Sequence, residues 1–207
     1  PGDEDGGDQA DARDGISVGK RGTTIENVVI DSNSISWAVD EALSAWGDNT
    51  NITFSNNIVA ESLSDSIHPK GDHSMGVLVG NGSSNVSMIG NLIAHNTHRN
   101  AQVKDDAKQI EFVNNVVYNY GDNGFTAHES TTAHVINNVF IAGDDSNKRD
   151  PIRFEQGDPG AAYFASGNIG EITGSAVSKI QNNLVFTPAT TDIVATEDVL
   201  ETVLKNV

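Results

Sequence analysis

One short pattern recurs along this chain and limits what it can fold into: a β-branched strand, an asparagine, then a second apolar strand. It appears as NVVIDSNSIS (27–36), NITFSNNIVA (51–60), NVSMIGNLIA (85–94), QIEFVNNVVY (109–118), AHVINNVFIA (133–142) and SKIQNNLVF (178–186). The aligned asparagines are Asn33, Asn57, Asn91, Asn115, Asn138 and Asn183, separated by 24, 34, 24, 23 and 45 residues. A spacing near 23 with insertions marks a solenoid, and period-2 alternation marks its repeats as strands rather than helices. Asparagine tolerates the left-handed backbone of a sharp bend, and stacked copies can hydrogen-bond along a ladder. The expected fold is all-β, a right-handed parallel β-helix with an asparagine ladder, forming a single domain over 1–207. A sandwich of many short strands is the competing architecture, and the shared Asn register disfavours it. TEDVLETVLKNV (196–207) reads as a helix with Thr196 as N-cap, an acidic first turn and a late lysine.

Composition narrows the partners. Lys+Arg number 12 against 29 Asp+Glu, a net charge of −17, which argues against nucleic acid and favours divalent cations. There is no cysteine, so disulfides and thiolate metal sites are excluded. No window approaches 18 apolar residues, so no membrane span is expected. The acidic, glycine-rich start PGDEDGGDQADARDG resembles no signal peptide, and a fragment or processed chain is expected.

Solenoid stacking brings inserts of successive coils to one flank. Stacked in order, three inserts place Asp40 and Glu41, then His68 and Lys70, then Arg99 and Lys104 side by side, with Asp14 one coil earlier. Carboxylates facing fixed cations suit an anionic sugar bound through a metal, and hard oxygen ligands suit Ca²⁺. Ca²⁺ and Lys70 would neutralise a uronate carboxylate and acidify the carbon beside it, leaving Arg99 as the candidate base. That role requires desolvation or flanking cations to lower its proton affinity.

These residues carry a family resemblance. NVVIDSNSISWAVDEALS, NITFSNNIVAESL, HPKGDHSMGVLVG, NVSMIGNLIAHNTHRNAQV and IEFVNNVVYN, in order over roughly Asp14 to Asn138, resemble the pectate lyases, β-helix polysaccharide lyases. The resemblance implies Ca²⁺-assisted β-elimination on an acidic polysaccharide such as polygalacturonate, by an exported enzyme acting outside the cell. It implies Asp14 and Asp40 as calcium ligands, Lys70 of HPK as a binder of the substrate carboxylate, and Arg99 as the base. The chain departs from the family at Ser44, where a second acidic ligand is usual and Glu41 would compensate. It departs again at Ala101 for a proline, Gln102 for a frequent basic residue and Lys104 for a second arginine. Loss of guanidinium groups should weaken bidentate gripping of carboxylates.

Blander readings stand beside these. His68 is expected to bind substrate beside Lys70 and Lys104, or to orient its loop by hydrogen bonding, rather than to ligate metal. A zinc site of His68, His73, His95 and His98 matches no compact ligand spacing. Asp31 would be a structural hydrogen-bonding residue, and Arg99 would pair with Asp105 or Asp106. Trp37 and Trp46 would pack in the core or stack on sugar, and Arg149 or Arg153 would supply missing cations. Two rival functions follow: a catalytically silent carbohydrate-binding or adhesion β-helix, and a β-helix hydrolase with paired carboxylates. A monomer is expected.

Overall fold

A computed structural model of the protein describes residues 9–19, 22–147 and 150–207. The described strands form three sheets, all parallel, through which the chain winds in coils. The first sheet stacks β1 (Ile16–Val18), β4 (Glu41–Trp46), β7 (Met75–Gly80), β10 (His98–Val103), β13 (Asn123–Ala127), β16 (Asp150–Phe154) and β18 (Ile172–Thr173). The second stacks β2 (Glu26–Asp31), β5 (Thr50–Ser55), β8 (Ser84–Ile89), β11 (Lys108–Val113), β14 (Thr132–Ile136) and β17 (Ala162–Ser166). The third stacks β3 (Ser34–Ser36), β6 (Ile58–Ala60), β9 (Leu92–Ala94), β12 (Val116–Tyr118) and β15 (Val139–Ile141). The fold is therefore a parallel β-helix, and each full coil contributes three strands, not the two visible in the repeat.

The third strand was hidden because it does not alternate. All six residues of β7 are buried, whereas β5 alternates as its sequence suggests. The segments between ladder strands expected to be inserts, SWAVDEALSAWGD (36–48) and HNTHRNAQVKDD (95–106), therefore contain β4 and β10, and the candidates Glu41 and Arg99 stand on strands rather than loops.

Inside, like side chains sit above like. Ile52, Val86, Ile110, Ala133 and Tyr163 form one buried row, and Ile35, Val59, Ile93, Val117 and Phe140 another. Each large side chain so buried contributes about 1.5–3 kcal/mol. Rings of Phe112, Phe125, Phe154 and Tyr163 continue the core from coil to coil at centroid spacings of 5.1, 6.2 and 4.3 Å.

The asparagine ladder lies between the second and third sheets. The side-chain oxygen of Asn57 accepts from the backbone N–H and the amide of Asn33 at 3.0 and 3.2 Å, and the pattern repeats through Asn91, Asn115 and Asn138. Each amide also donates to a backbone carbonyl, as Asn91 does to Phe54 at 2.9 Å. Two details differ from expectation. The left-handed residue is not the ladder Asn but the one before it: Ser32, Asn56, Gly90, Asn114, Asn137 and Gly167 all have φ between 50° and 67°. The last rung is Asn168, bonded to Asn138 at 2.9 and 3.0 Å, and not Asn183, which is exposed.

Asn183 misses the ladder because the chain leaves the coils. Only Ile180 bridges to Tyr163, after which a strap over 181–195 crosses the outer face of the second sheet. Val185 N–H donates to His134 Nε2 at 3.1 Å, and Phe186 stacks on the His134 ring at 3.7 Å. Thr190 donates its N–H and hydroxyl to Glu111 at 3.1 and 3.0 Å, and Val194 N–H donates to Asn114. The helix α1 (Thr196–Asn206) then packs Val199 and Val203 on Val116 and Val139 of the third sheet. Ala195 is its N-cap, and Thr196, expected there, instead donates its hydroxyl to the Gly167 carbonyl. No described helix is long and apolar enough to cross a membrane.

Candidate active site

The outer face of the first sheet carries a groove of about 470 Å³ along β1, β4, β7 and β10. Asp14, Asp40, Glu41, Lys70, Arg99 and Lys104 all line it. Asp14 and Asp40 stand just before β1 and β4, Glu41 and Arg99 on β4 and β10, Lys104 just after β10, and Lys70 on the long loop before β7. His68, expected to bind substrate, belongs to the same loop but is buried behind Asp40 and does not line the groove, so it cannot touch a ligand there.

On the acidic side, Asp14, Asp40 and Glu41 present carboxylate oxygens within 4.8 Å of one another. Burial pushes the Asp14 carboxyl above its usual range; hydroxyls of Ser44 and Ser17 oppose that, and the Asp40 charge adds to it. Ser44 thus has a visible job: its hydroxyl donates to Asp14 Oδ2 at 2.8 Å and lies 2.8 Å from the Ser17 hydroxyl. Three converging hard oxygens, one of them destabilised as a carboxylate chiefly by burial and then by the Asp40 charge, form a donor set that fits Ca²⁺.

The two loop histidines act on Asp40 from behind. His73 Nε2 donates to Asp40 Oδ1 at 2.7 Å, and its ring stacks on His68 at 3.6 Å. Burial lowers the His73 pKa below its ordinary 6.5, against the hydrogen bond to Asp40. His68 Nδ1 accepts the Lys70 N–H at 3.2 Å, which puts its proton on Nε2, the nitrogen facing Asp40 at 3.9 Å. Metal ligation through that nitrogen would need the other tautomer and would set two donors against each other at Nδ1. His95 and His98 lie elsewhere, beside Asn119 at 2.8 Å and Asp122 at 3.0 Å. The four histidines therefore build no zinc site, and His68 orders the loop that presents Lys70.

On the cationic side, Arg99 is ion-paired through Nη1 with Glu41, not with Asp105 or Asp106. Burial lowers its proton affinity, while Asp40 and then Asp14 raise it. Its backbone is left-handed, φ 57°, and Gly76 permits the close approach of the strand: a Cβ there would sit 2.7 Å from the Arg99 carbonyl oxygen. Lys104 holds its ammonium 3.3 Å from Asp105 and 5.9 Å above the Trp46 ring. Ala101 is fully buried in the core, and Gln102 turns outward to His128 at 3.1 Å.

The remaining candidates lie apart. Trp37 is 61% exposed, with its indole N–H 3.4 Å from Glu61. Asp31 accepts from Ser55, Asn56 and Ser32, which pull its carboxyl down, a structural role as expected. Arg153 is engaged by Asp150 and Glu155, and Arg149 lies outside the described residues. Sequence reasoning missed Ser17 as a wall residue and His73 as the partner of Asp40. Ser17 was legible only once β1 and β4 were known to pair, Ser17 on Ser44.

No family model matches the chain. It is similar to proteins named probable pectate lyase C: 37% identical over 137 residues to that of Aspergillus flavus and 38% over 133 residues to that of Neosartorya fischeri. The Emericella nidulans protein is 36% identical over 132 residues. These matches cover 62–64% of this chain but only 28–29% of the relatives. The resemblance to the pectate lyase family rests on these relatives together with the β-helix itself, and the chain spans under a third of the length of the curated relatives it matches.

Proposed function

We propose that this chain carries the groove of a calcium-assisted polysaccharide lyase, exported from the cell, that cleaves an acidic polyuronate of the pectate kind by β-elimination. The single observation supporting it most is that a cluster of three carboxylates, Asp14, Asp40 and Glu41, with Asp11 beside it, shares one groove with the cations Lys70, Arg99 and Lys104 from successive coils. A neutral glycan needs neither set, and a polyuronate needs both.

In this reading Asp14, Asp40 and Glu41 hold Ca²⁺, with the Ser44 hydroxyl keeping Asp14 in place. Bound Ca²⁺ supplies positive charge at the uronate carboxylate, which acidifies the adjacent carbon. Lys70 and Lys104 hold the carboxylate, Lys104 steadied by Trp46 and Asp105. Burial favours loss of a proton from the Arg99 guanidinium to solvent, and the neutral side chain, parted from Glu41, then takes the proton from the carbon beside the carboxylate. The carbon–carbon double bond forms as the bond to the glycosidic oxygen breaks, and that oxygen leaves with a proton from solvent.

The test follows unsaturated product by ultraviolet absorbance on polygalacturonate, with and without chelator, beside Arg99→Lys. Absorbance that rises with Ca²⁺ and disappears in the variant supports the reading; none from active-concentration protein sinks it. A silent glycan-binding module is the second reading, favoured by the Arg99–Glu41 pair, which occupies the proposed base. It predicts binding unchanged by Arg99→Ala and no product. An inverting hydrolase loses ground, because one oxygen each of Asp14, Asp40 and Glu41 lie within 4.8 Å and inversion needs carboxyls roughly 6.5–9.5 Å apart.

A further inference from the structure

The groove continues past Arg99. A second hollow of about 280 Å³ has Arg99 in its wall too, with Gln102, Thr126 and His128 beside it and Arg153 at its far side. Gln102, Thr126 and Arg153 stand in register on β10, β13 and β16, so the hollow extends the same outer face by two coils.

Its electrostatics differ from those of the first groove. Arg153 donates through Nη1 to Asp150 at 2.7 Å and through Nε to Glu155 at 2.5 Å. A guanidinium grips a carboxylate with two parallel N–H groups, taken either from its end or from its Nε side. Here each of those forks has already lost one member. The trio carries one positive charge against two negative ones, and the Ser175 hydroxyl, donating to Glu155 at 2.8 Å, helps hold that carboxyl ionised. His128 adds no cation: burial keeps its pKa below 6.5, and Gln102 donates to its Nε2. His98 is matched by Asp122 at 3.0 Å.

We propose that this hollow seats the sugar next to the one held at Arg99 and selects an uncharged unit there over a free uronate. The inference rests on the polyuronate reading above and deepens it. Amide, hydroxyl and neutral imidazole groups offer hydrogen bonds to sugar hydroxyls, while the acid-rich trio repels a second carboxylate. The uncharged unit is either an esterified uronate or a neutral sugar alternating with uronates.

The experiment measures binding by calorimetry and cleavage by absorbance, using the full chain with Ca²⁺. Three probes are compared: a de-esterified oligogalacturonate, a partially methyl-esterified one, and an oligomer alternating galacturonate with a neutral deoxyhexose. The wild type is expected to bind one of the two mixed oligomers more tightly than the fully acidic one, and the better of the two names the source. Glu155→Gln removes one of the two negative charges held at Arg153 and should shift the affinity ratio towards the fully acidic oligomer by about fivefold, as for a partly exposed charge. Asp150→Asn, which removes the other, should shift it the same way. Preference for the fully acidic oligomer with a ratio unmoved in both variants overturns the inference, and so does binding of no oligomer. Charge-selective binding without cleavage leaves the inference standing and removes the lyase reading; cleavage without charge preference does the reverse.

Discussion

The first and second sheets present outer faces built in the same way and used in opposite ways. On the second, the outward row Ser87, Glu111, His134 lies under the 181–195 strap, and its central carboxylate is saturated. Glu111 accepts the Ser87 hydroxyl at 2.7 Å as well as both donors of Thr190. On the first, the corresponding face is open, and carboxylates stand against one another and against Arg99. A face meant to be covered satisfies its charges internally. The open face instead sets like charges together: burial and the Asp40 charge push the Asp14 carboxyl up in spite of the hydroxyls of Ser44 and Ser17.

That contrast is most sharply tested at Arg99. Arg99→Lys keeps a charge near Glu41 but removes the guanidinium, and product formation should fall about a thousandfold while the unfolding midpoint hardly moves. A large loss of stability with preserved turnover would erase the distinction between the faces. On the covered face the signs should be exchanged: Glu111→Ala leaves the half-buried Thr190 donors and the Ser87 hydroxyl without their acceptor and should cost about 1 kcal/mol in denaturant unfolding, with the groove unchanged. Between the two lies Gly76→Ala, whose new Cβ collides with the Arg99 carbonyl; about 1–3 kcal/mol of stability and most of the activity should go together.

Smaller effects refine the picture. Ser44→Asp places another carboxylate beside Asp14; Ca²⁺ affinity by calorimetry should rise about tenfold, and the metal-free fold should weaken through like-charge repulsion. Last, His134 is buried with its folded pKa below the ordinary 6.5, and its neutral Nε2 accepts the Val185 N–H. The unfolded chain therefore binds the extra proton more readily. The contribution is complete above pH 6.5 and is lost as pH falls through that value towards the lower folded one. Hydrogen exchange should show 181–195 opening first on acidification, and His134→Phe, which cannot charge, should flatten that dependence.

Much of the scaffold was legible because the ladder needs asparagine at a fixed register, and Asn33 through Asn138 stand at it. Asn168 was passed over because YFASGNIG reads as an irregular coil, while Asn183 in QNNLVF repeats the Asn–Asn pair of the neighbouring coils more closely. The third strand escaped because MGVLVG, buried throughout, shows no alternation. The strap could not be read at all, since its anchors Glu111 and His134 lie 79 and 51 residues away and any hydroxyl or N–H could have met them. For the groove, residue order sufficed to bring Asp14, Asp40, Lys70, Arg99 and Lys104 to one flank. It did not reveal that Glu41 would engage Arg99, because that contact depends on side-chain reach between β4 and β10 across β7.

The net charge of −17 makes the polyanion reading demanding, and three of the chain's 12 basic residues are concentrated in one groove. At physiological salt, repulsion from carboxylates more than about 8 Å away is largely screened, so capture turns on the groove itself, where Asp11, Asp14, Asp40 and Glu41 outnumber Lys70, Arg99 and Lys104 and a bound divalent cation would be needed to reverse the sign.

Parallel stacking has one more consequence. Each coil advances the outer face by one strand spacing, about 4.8 Å, so the separations among these side chains come in whole steps set by backbone hydrogen bonds rather than by loop flexibility. The molecule is thus graduated like a ruler. Removing one entire coil would leave a sound scaffold whose marks are displaced by a single division, and lineages could change what such a surface measures by counting coils without redesigning any of them.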